Sequence, residues 1–332
     1  MEILVSIWSG IIGFAIFMYV LLDGFDLGIG ILLPLIRKEN DRALMISTII
    51  PVWDGNQTWL VLGGACLYGA FPTAFATLMP LLYLPLIIML IALILRGVAL
   101  EFRLKSTQSV WLWNYVFCLG SILAGFTQGL ILGTFVQGFG QQPYPLASGS
   151  QPWLTTFSCM TGLGTICGYV LLGCGWLIIK TKGHIQQTAQ SMAWVSLSLV
   201  ALFMLIFSIW TPLLSTFHWQ RWLSYANIPY LATLPLCTMM MFALCAYALY
   251  HRYEYLPFIT TIGIFLCGAI GVTISTYPYI VPQSMTFSEA AAPASALAFM
   301  LYGITIMLPV LLSYTAYAHY IFRGKVTQAL HY

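Results

Sequence analysis

The chain has 332 residues, of which 60% are hydrophobic and only 6% charged. Twelve Lys and Arg against nine Asp and Glu, a net charge of +3, cannot coat a water-soluble body, whose surface calls for roughly a quarter charged residues. A soluble enzyme and a nucleic-acid-binding protein are excluded, and the sequence reads as one polytopic membrane domain over residues 1–332.

A span needs about 20 apolar residues to cross a hydrocarbon core about 30 Å thick. The first apolar run, near 3–36, opens on Met1-Glu2-Ile3-Leu4. It lacks a basic leader and is too long for a cleavable signal, so it is expected to remain as helix 1. Inside it stand two acids, in Asp23-Gly24-Phe25-Asp26-Leu27-Gly28-Ile29-Gly30. Their i,i+3 spacing puts both on one helix face. The glycines allow close approach of another helix or a local break.

Helix 2 is expected near 43–70 and carries Trp53-Asp54-Gly55-Asn56-Gln57-Thr58-Trp59, with Asp54 and Thr58 on one face. Helix 3, near 73–103, holds Arg96 and, close to its end, Glu101. Further helices are expected near 112–138, 153–179, 187–210, 228–250, 256–280 and 293–322, making nine in all. Tyr277-Pro278 and Val281-Pro282 close the eighth, and Glu289 follows in a connection.

The basic residues fix the direction. Arg37, Lys38, Arg42, Arg103, Lys105, Lys180, Lys182, Arg252, Arg323 and Lys325 all fall in one set of alternate connections and the tail, while the opposite set holds only Arg221. Such asymmetry predicts an N-terminus outside, a cytoplasmic C-terminus and an odd number of spans. The outer connections are rich in aromatics, as in Gln141-Gln142-Pro143-Tyr144-Pro145 and Phe217-His218-Trp219-Gln220-Arg221-Trp222, which suits an interfacial belt.

Ionisable groups within spans are costly and mark protein interiors, water cavities or partners. Asp23, Asp26, Asp54, Arg96 and Glu101 all lie in the first third of the chain. At 1.5 Å per residue, Asp26 is about 16 Å and Asp23 about 21 Å from the basic end of helix 1, and Asp54 is about 18 Å into helix 2. The three aspartates share a level near mid-membrane, with Arg96 and Glu101 between them and the cytoplasm. With Trp53, Gln57, Thr58 and Arg96 as polar lining or ion-pair partners, Asp54, Asp26, Asp23 and Glu101 outline a proton or ion path. Two bland readings stand beside it: an Asp–Arg96 pair that only locks helices, and Glu101 paired with Lys105 at the surface.

Other chemistry is not written in the sequence. The eight cysteines lie inside apolar runs without a CxxC pair, which suits helix packing. His184, His218, His251, His319 and His331 sit at helix ends or in connections, whereas haem ligation deep in a bundle needs an axial ligand inside it. There is no Walker A, HExxH or Ser/His/Asp pattern, so neither a catalytic residue nor a metal ligand is expected in this chain.

Asp23-Gly24-Phe25-Asp26-Leu27-Gly28, then Trp53-Asp54-Gly55-Asn56-Gln57 with Trp59, then Arg96-Gly97 followed by Phe102-Arg103, resemble subunit II of cytochrome bd-type quinol oxidases. Tyr277-Pro278, Val281-Pro282 and Glu289-Ala290-Ala291-Ala292-Pro293 resemble that family too, particularly its cyanide-insensitive branch, although Ser288 stands where related chains often have Trp. The resemblance implies a nine-helix, multi-pass subunit of a bacterial inner-membrane respiratory enzyme, paired with a subunit I that carries two b-type haems and one haem d. That complex oxidises ubiquinol or menaquinol and reduces oxygen to water. Some members add small single-helix subunits or hold a structural quinone in subunit II, for which no motif is visible here. The family's proton route runs through the carboxylate matching Asp54, with the one matching Asp26 a further candidate.

Two rival readings remain: a proton-coupled secondary transporter, and a purely structural or assembly subunit. A transporter commonly shows broken helices in both halves, whereas here the charged motifs lie only in the first third.

Overall fold

With no water in a bilayer to satisfy its backbone, an apolar chain must close its hydrogen bonds internally, and this one does so with helices. The computed structural model describes residues 1–106, 108–139, 152–224 and 227–328. The aromatic stretch at 141–145 and His331 lie outside them. The elements are α1 (Glu2–Leu32) with a 3-10 turn (Leu33–Leu35), α2 (Glu39–Ser47), α3 (Trp53–Ala70), α4 (Pro72–Leu81), α5 (Tyr83–Lys105) and α6 (Val110–Gln137). Then come α7 (Thr156–Lys180), α8 (His184–Leu213), α9 (Thr216–Leu223), α10 (Ile228–Leu231), α11 (Thr233–Tyr250) and α12 (Leu256–Thr276). An antiparallel hairpin of β1 (Tyr279–Val281) and β2 (Met285–Thr286) leads through α13 (Phe287–Ala290) to α14 (Ala294–Ile321).

Among the described residues, eight helices are long and apolar enough to cross a membrane: α1 with its turn, α5, α6, α7, α8, α11, α12 and α14. The ninth expected span, near 43–70, is two helices rather than one. Pro51 has no N–H to give, and the chain turns through residues 48–52 before α3 begins at Trp53. The first turns of α3 are polar, and this helix is not among the eight. The helix expected over 73–103 likewise divides at Leu82, between Pro80 and Pro85, and the one expected to reach residue 280 stops at Thr276, where the chain enters the hairpin.

The centre of α1 is the axis of the packing. Its second half is buried against α6 and α7 in a core that includes Phe25, Leu27, Ile29, Phe117, Tyr169, Leu172 and Trp176. Its first half joins Trp59, Leu62, Phe71, Ile280 and Leu297 in a second core. Close approach is built into the sequence: a Cβ on Gly28 would fall 1.8 Å from the Tyr169 carbonyl oxygen, and one on Gly30 would fall 2.0 Å from Ser121 Oγ. Outward-facing helices show apolar side chains instead, among them Leu205, Ile209, Leu236, Met239, Phe299 and Tyr302.

The end carrying most basic residues is tied by polar bonds. Arg103 pairs with Glu39 at 2.5 Å and donates to Asn114 Oδ1 at 2.6 Å, while Asn114 Nδ2 donates to Glu39 Oε2 at 3.0 Å, joining α2, α5 and α6. His184 at the start of α8 faces Asp41 of α2 at 3.2 Å. The segment after α14 is held by Val326 N–H on Lys180 O (2.8 Å), by Lys180 Nζ on Phe322 O, and by Lys325 with Glu254 (2.6 Å).

Candidate functional site: a buried charge cluster

Two turns of α1 present Tyr19, Asp23 and Asp26 inward, at the i, i+4 and i+7 positions of one face. All three are buried, and the two aspartates have no exposed surface. Arg96, from the middle of α5, meets Asp23 with Nη1 2.6 Å from Oδ1, and its side chain is also wholly buried. Gly120 on α6 lets this part of α5 come close, since a Cβ there would lie 2.8 Å from Ala92 O and 3.2 Å from Arg96 N.

Asp26 is held from α3. Asn56 Nδ2 donates to Asp26 Oδ2 at 2.9 Å and to Leu22 O at 3.2 Å, so one amide fixes both the acid and the α1 backbone beside it. Asp26 Oδ1 and the Arg96 Nε and Nη2 atoms are buried and have no hydrogen-bond partner among the described residues. One guanidinium balances one carboxylate, and two carboxyls stand here. A site with this charge count reaches neutrality by holding one proton, and uncompensated charge in a dry interior is what it must avoid.

A third arm reaches Asp23 from the other side. The Tyr19 hydroxyl lies beside Asp23. It accepts from Gln128 Nε2 of α6 at 2.7 Å, and Gln128 Oε1 accepts from the Tyr169 hydroxyl of α7 at 2.5 Å. The cluster thus draws on α1, α3, α5, α6 and α7.

Of the residues singled out in the sequence, the structure brings together Asp23, Asp26 and Arg96, with Asp23 and Arg96 in direct contact. Asp54 is not in this cluster. It is exposed on the outside of the chain in the first turn of α3, because positions two apart on a helix face different ways and Asn56 takes the inward one. Trp53 packs between α3 and α5, its ring 3.2 Å from where a Cβ on Gly97 would sit. Gln57 buries its Nε2 without a partner among the described residues, and Thr58 is half-buried. Glu101 is exposed, and no ion pair joins it to Lys105 among the described residues. Sequence reasoning did not single out Tyr19, Gln128, Tyr169 or the Glu39–Arg103–Asn114 group. The signal that could have found them is the amides of α6, Asn114 and Gln128, which stand in an otherwise apolar helix.

Among the described residues no group of three His, Cys, Asp or Glu could hold a metal ion. His319 Nδ1 donates to Thr315 O (2.9 Å), and the ring packs edge-on against Phe25 and Trp176 near the end of α14. His218 bonds Ser215 Oγ (2.8 Å) in the connecting helix α9, outside the spans, where burial holds its imidazole below the usual histidine range.

A family profile described as cytochrome bd terminal oxidase subunit II matches residues 4–322. The chain belongs to that family. It is 26% identical over 335 residues to the cytochrome bd ubiquinol oxidase subunit 2 of Bacillus subtilis (strain 168), covering 97% of this chain and 96% of the relative. It is 23% identical over 364 residues to the cytochrome bd-I ubiquinol oxidase subunit 2 of Escherichia coli (strain K12), covering 98% and 96%. The fold is similar to a chain in the structure of bd oxidase from Geobacillus thermodenitrificans, with a TM-score of 0.76 over 96% of this chain and 98% of that one, at 17% identity. As a cytochrome bd subunit II, the chain is a multi-pass component of an oxidoreductase complex of respiration. The buried Asp23–Asp26–Arg96 cluster is therefore a feature of an oxidase subunit, in the very motifs that carried the resemblance.

Proposed function

We propose that this chain is the non-haem-ligating subunit of a bacterial quinol:oxygen oxidoreductase, and that it gives the oxygen-reducing site a proton path from the cytoplasm. In this reading it pairs with a haem-bearing subunit I in the bacterial inner membrane, with small single-helix subunits completing the complex in some members. In this reading the chain crosses nine times, with α3 as the ninth span, its N-terminus outside and its C-terminus in the cytoplasm. The two b-type haems and the haem d of subunit I supply electron transfer from ubiquinol or menaquinol and the reduction of oxygen.

The observation that carries the proton path is the position of α3 between two acids. On its inner side Asn56 holds the buried Asp26, and two residues earlier Asp54 stands exposed on the outside of the chain. Near Asp54 the surface is continued by α14, whose Tyr314 ring lies 3.1 Å from where a Cβ on Gly55 would sit. An exposed carboxylate on such a face cannot be meant for lipid, because a charge at that depth is costly without a partner or water. It suits contact with subunit I. Asp54 and Asp26 are the proton-carrying groups in this reading, with Trp53, Gln57 and Thr58 as lining. Asp23, paired with Arg96, is chiefly the fixed counter-charge, and Glu101 is an entry group at the cytoplasmic edge.

The test is Asp54→Asn in the complete complex. Oxygen consumption should fall by an order of magnitude or more while the haem spectrum of the purified complex stays unchanged. Normal oxygen consumption in a haem-replete complex would leave the chain a structural subunit.

A further inference from the structure

Along α1 the polar cluster stops at Tyr19. From Asp23 toward the N-terminus of α1, the last buried polar side chain is Tyr19, and the buried residues beyond it are Ala15, Ile12, Trp8 and Val5. Trp8 spends its one N–H on Leu297 O at 3.1 Å. At this junction the Tyr169 ring fills the space between two helices. A Cβ on Gly24 of α1 would lie 2.8 Å from the ring, and one on Gly125 of α6 would lie 3.2 Å from its other edge. The hydroxyl of that ring donates to Gln128 Oε1, and Gln128 Nε2 donates to Tyr19. The Tyr19 oxygen is thereby occupied as an acceptor, one helical turn from Asp23 on the same face of α1.

We propose that Tyr19, Gln128 and Tyr169 form a proton barrier, a closed hydrogen-bonded arm that stops the Asp23–Asp26 cluster from communicating with the side of the membrane away from its basic end. The physical reason is twofold. Buried polar groups that lack a protein partner recruit water, and a file of water is what passes protons through an apolar bundle. Here the Gln128 carbonyl is taken by the Tyr169 hydroxyl and its N–H by the Tyr19 oxygen, and the Tyr169 ring fills the space beside Gly24 and Gly125. An amide also passes no proton readily, so Gln128 is a suitable closing link where a third hydroxyl or a carboxyl would extend the path. An oxidase that takes protons from one side only needs such a stop, since a leak through subunit II would dissipate the gradient that the complex makes. These three are positioning residues, and the inference rests on the reading of Asp26 as a proton-carrying group.

The experiment uses the whole oxidase complex in sealed liposomes with a pH-sensitive dye inside, following the decay of an imposed pH gradient without turnover. Gln128→Ala opens the arm, and Tyr169→Phe keeps the ring but strips Gln128 of its donor. The gradient should decay severalfold faster with Gln128→Ala and detectably faster with Tyr169→Phe, with haem content unchanged. Adding Asp26→Asn to either variant should return the decay to that of the unaltered complex, because the leak runs through the cluster. Unaltered decay in both single variants overturns the barrier. So does a fast decay that Asp26→Asn does not suppress, which marks a packing defect. Failure of the underlying reading shows separately, as undiminished oxygen consumption in Asp26→Asn alone.

Discussion

Asp23 and Arg96 meet 2.6 Å apart across the α1–α5 interface, both wholly out of reach of solvent. A pair in this setting holds two helices in one register, because neither charge can be solvated where it stands. Removing one leaves the other buried without its ion-pair partner, at a cost of about 3–5 kcal/mol. Asp23→Leu or Arg96→Leu should therefore each lower the thermal midpoint of the detergent-purified complex, read as haem release. The double variant should lose clearly less than the two single losses added together. Strict additivity would show that the two side chains stabilise the fold independently of each other.

Asn56 is a second joint, tying α3 to α1 through Asp26 and the Leu22 carbonyl. Asn56→Leu keeps the approximate bulk and removes both bonds, stranding buried acceptors at about 1–3 kcal/mol. The same change removes the only hydrogen-bond donor that α3 offers Asp26 among the described residues. Lower stability should accordingly come with lower oxygen consumption per haem. A complex that loses stability and keeps full turnover would put Asn56 in the architecture alone.

How far the sequence could go is clear from these residues. Asp23, Asp26 and Arg96 were legible because charge in an apolar run is rare and helix rise alone puts them near one level. Which way Asp54 points was not. The break around Pro51 resets the phase of α3 relative to α2, so no periodicity carried across residues 48–52 predicts that Asn56 faces in and Asp54 out. The Tyr19–Gln128–Tyr169 arm was hidden for a different reason. Its bonds join residues 109 and 41 positions apart on three helices, and a tyrosine in an apolar helix reads as packing until its hydroxyl is seen to have a partner. Eight spans announced themselves by hydropathy, while the helix that bears the most polar motif did not, because the motif itself lowers its hydropathy.

Gly28 tests the close contact of α1 with α7. A methyl group there would be driven to 1.8 Å from the Tyr169 carbonyl, backbone that cannot move aside without shifting α7. Gly28→Ala should sharply lower the yield of haem-replete complex, at a cost above the usual 1–3 kcal/mol of overpacking. Gly10→Ala, on the same helix with nothing within 4 Å of the added carbon, is the matched control and should behave as the unaltered chain. Equal yields from the two would mean that α1 and α7 do not approach as closely as described.

The segment after α14 offers a pH test outside the membrane. Glu254 accepts from Lys325 Nζ at 2.6 Å and from Gln186 Nε2 at 3.1 Å, and these bonds, Lys325 first, hold its carboxyl below the usual carboxylate range. A depressed native value means that the carboxylate form favours the docked segment. This contribution is present above the unfolded value, about 4.3 for glutamate, and is lost as pH falls through the lower native one. Docking should accordingly hold at neutral pH and weaken only below about pH 4. The Val326 N–H, bonded to Lys180 O at 2.8 Å, reports it through its protection from hydrogen exchange. Protection at Val326, corrected for the intrinsic exchange rate, should drop on acidification in the unaltered chain. In Glu254→Gln it should be weaker at neutral pH and nearly independent of acid, because the amide cannot titrate. The same acid-induced loss in both chains would place the sensitivity in some group other than Glu254.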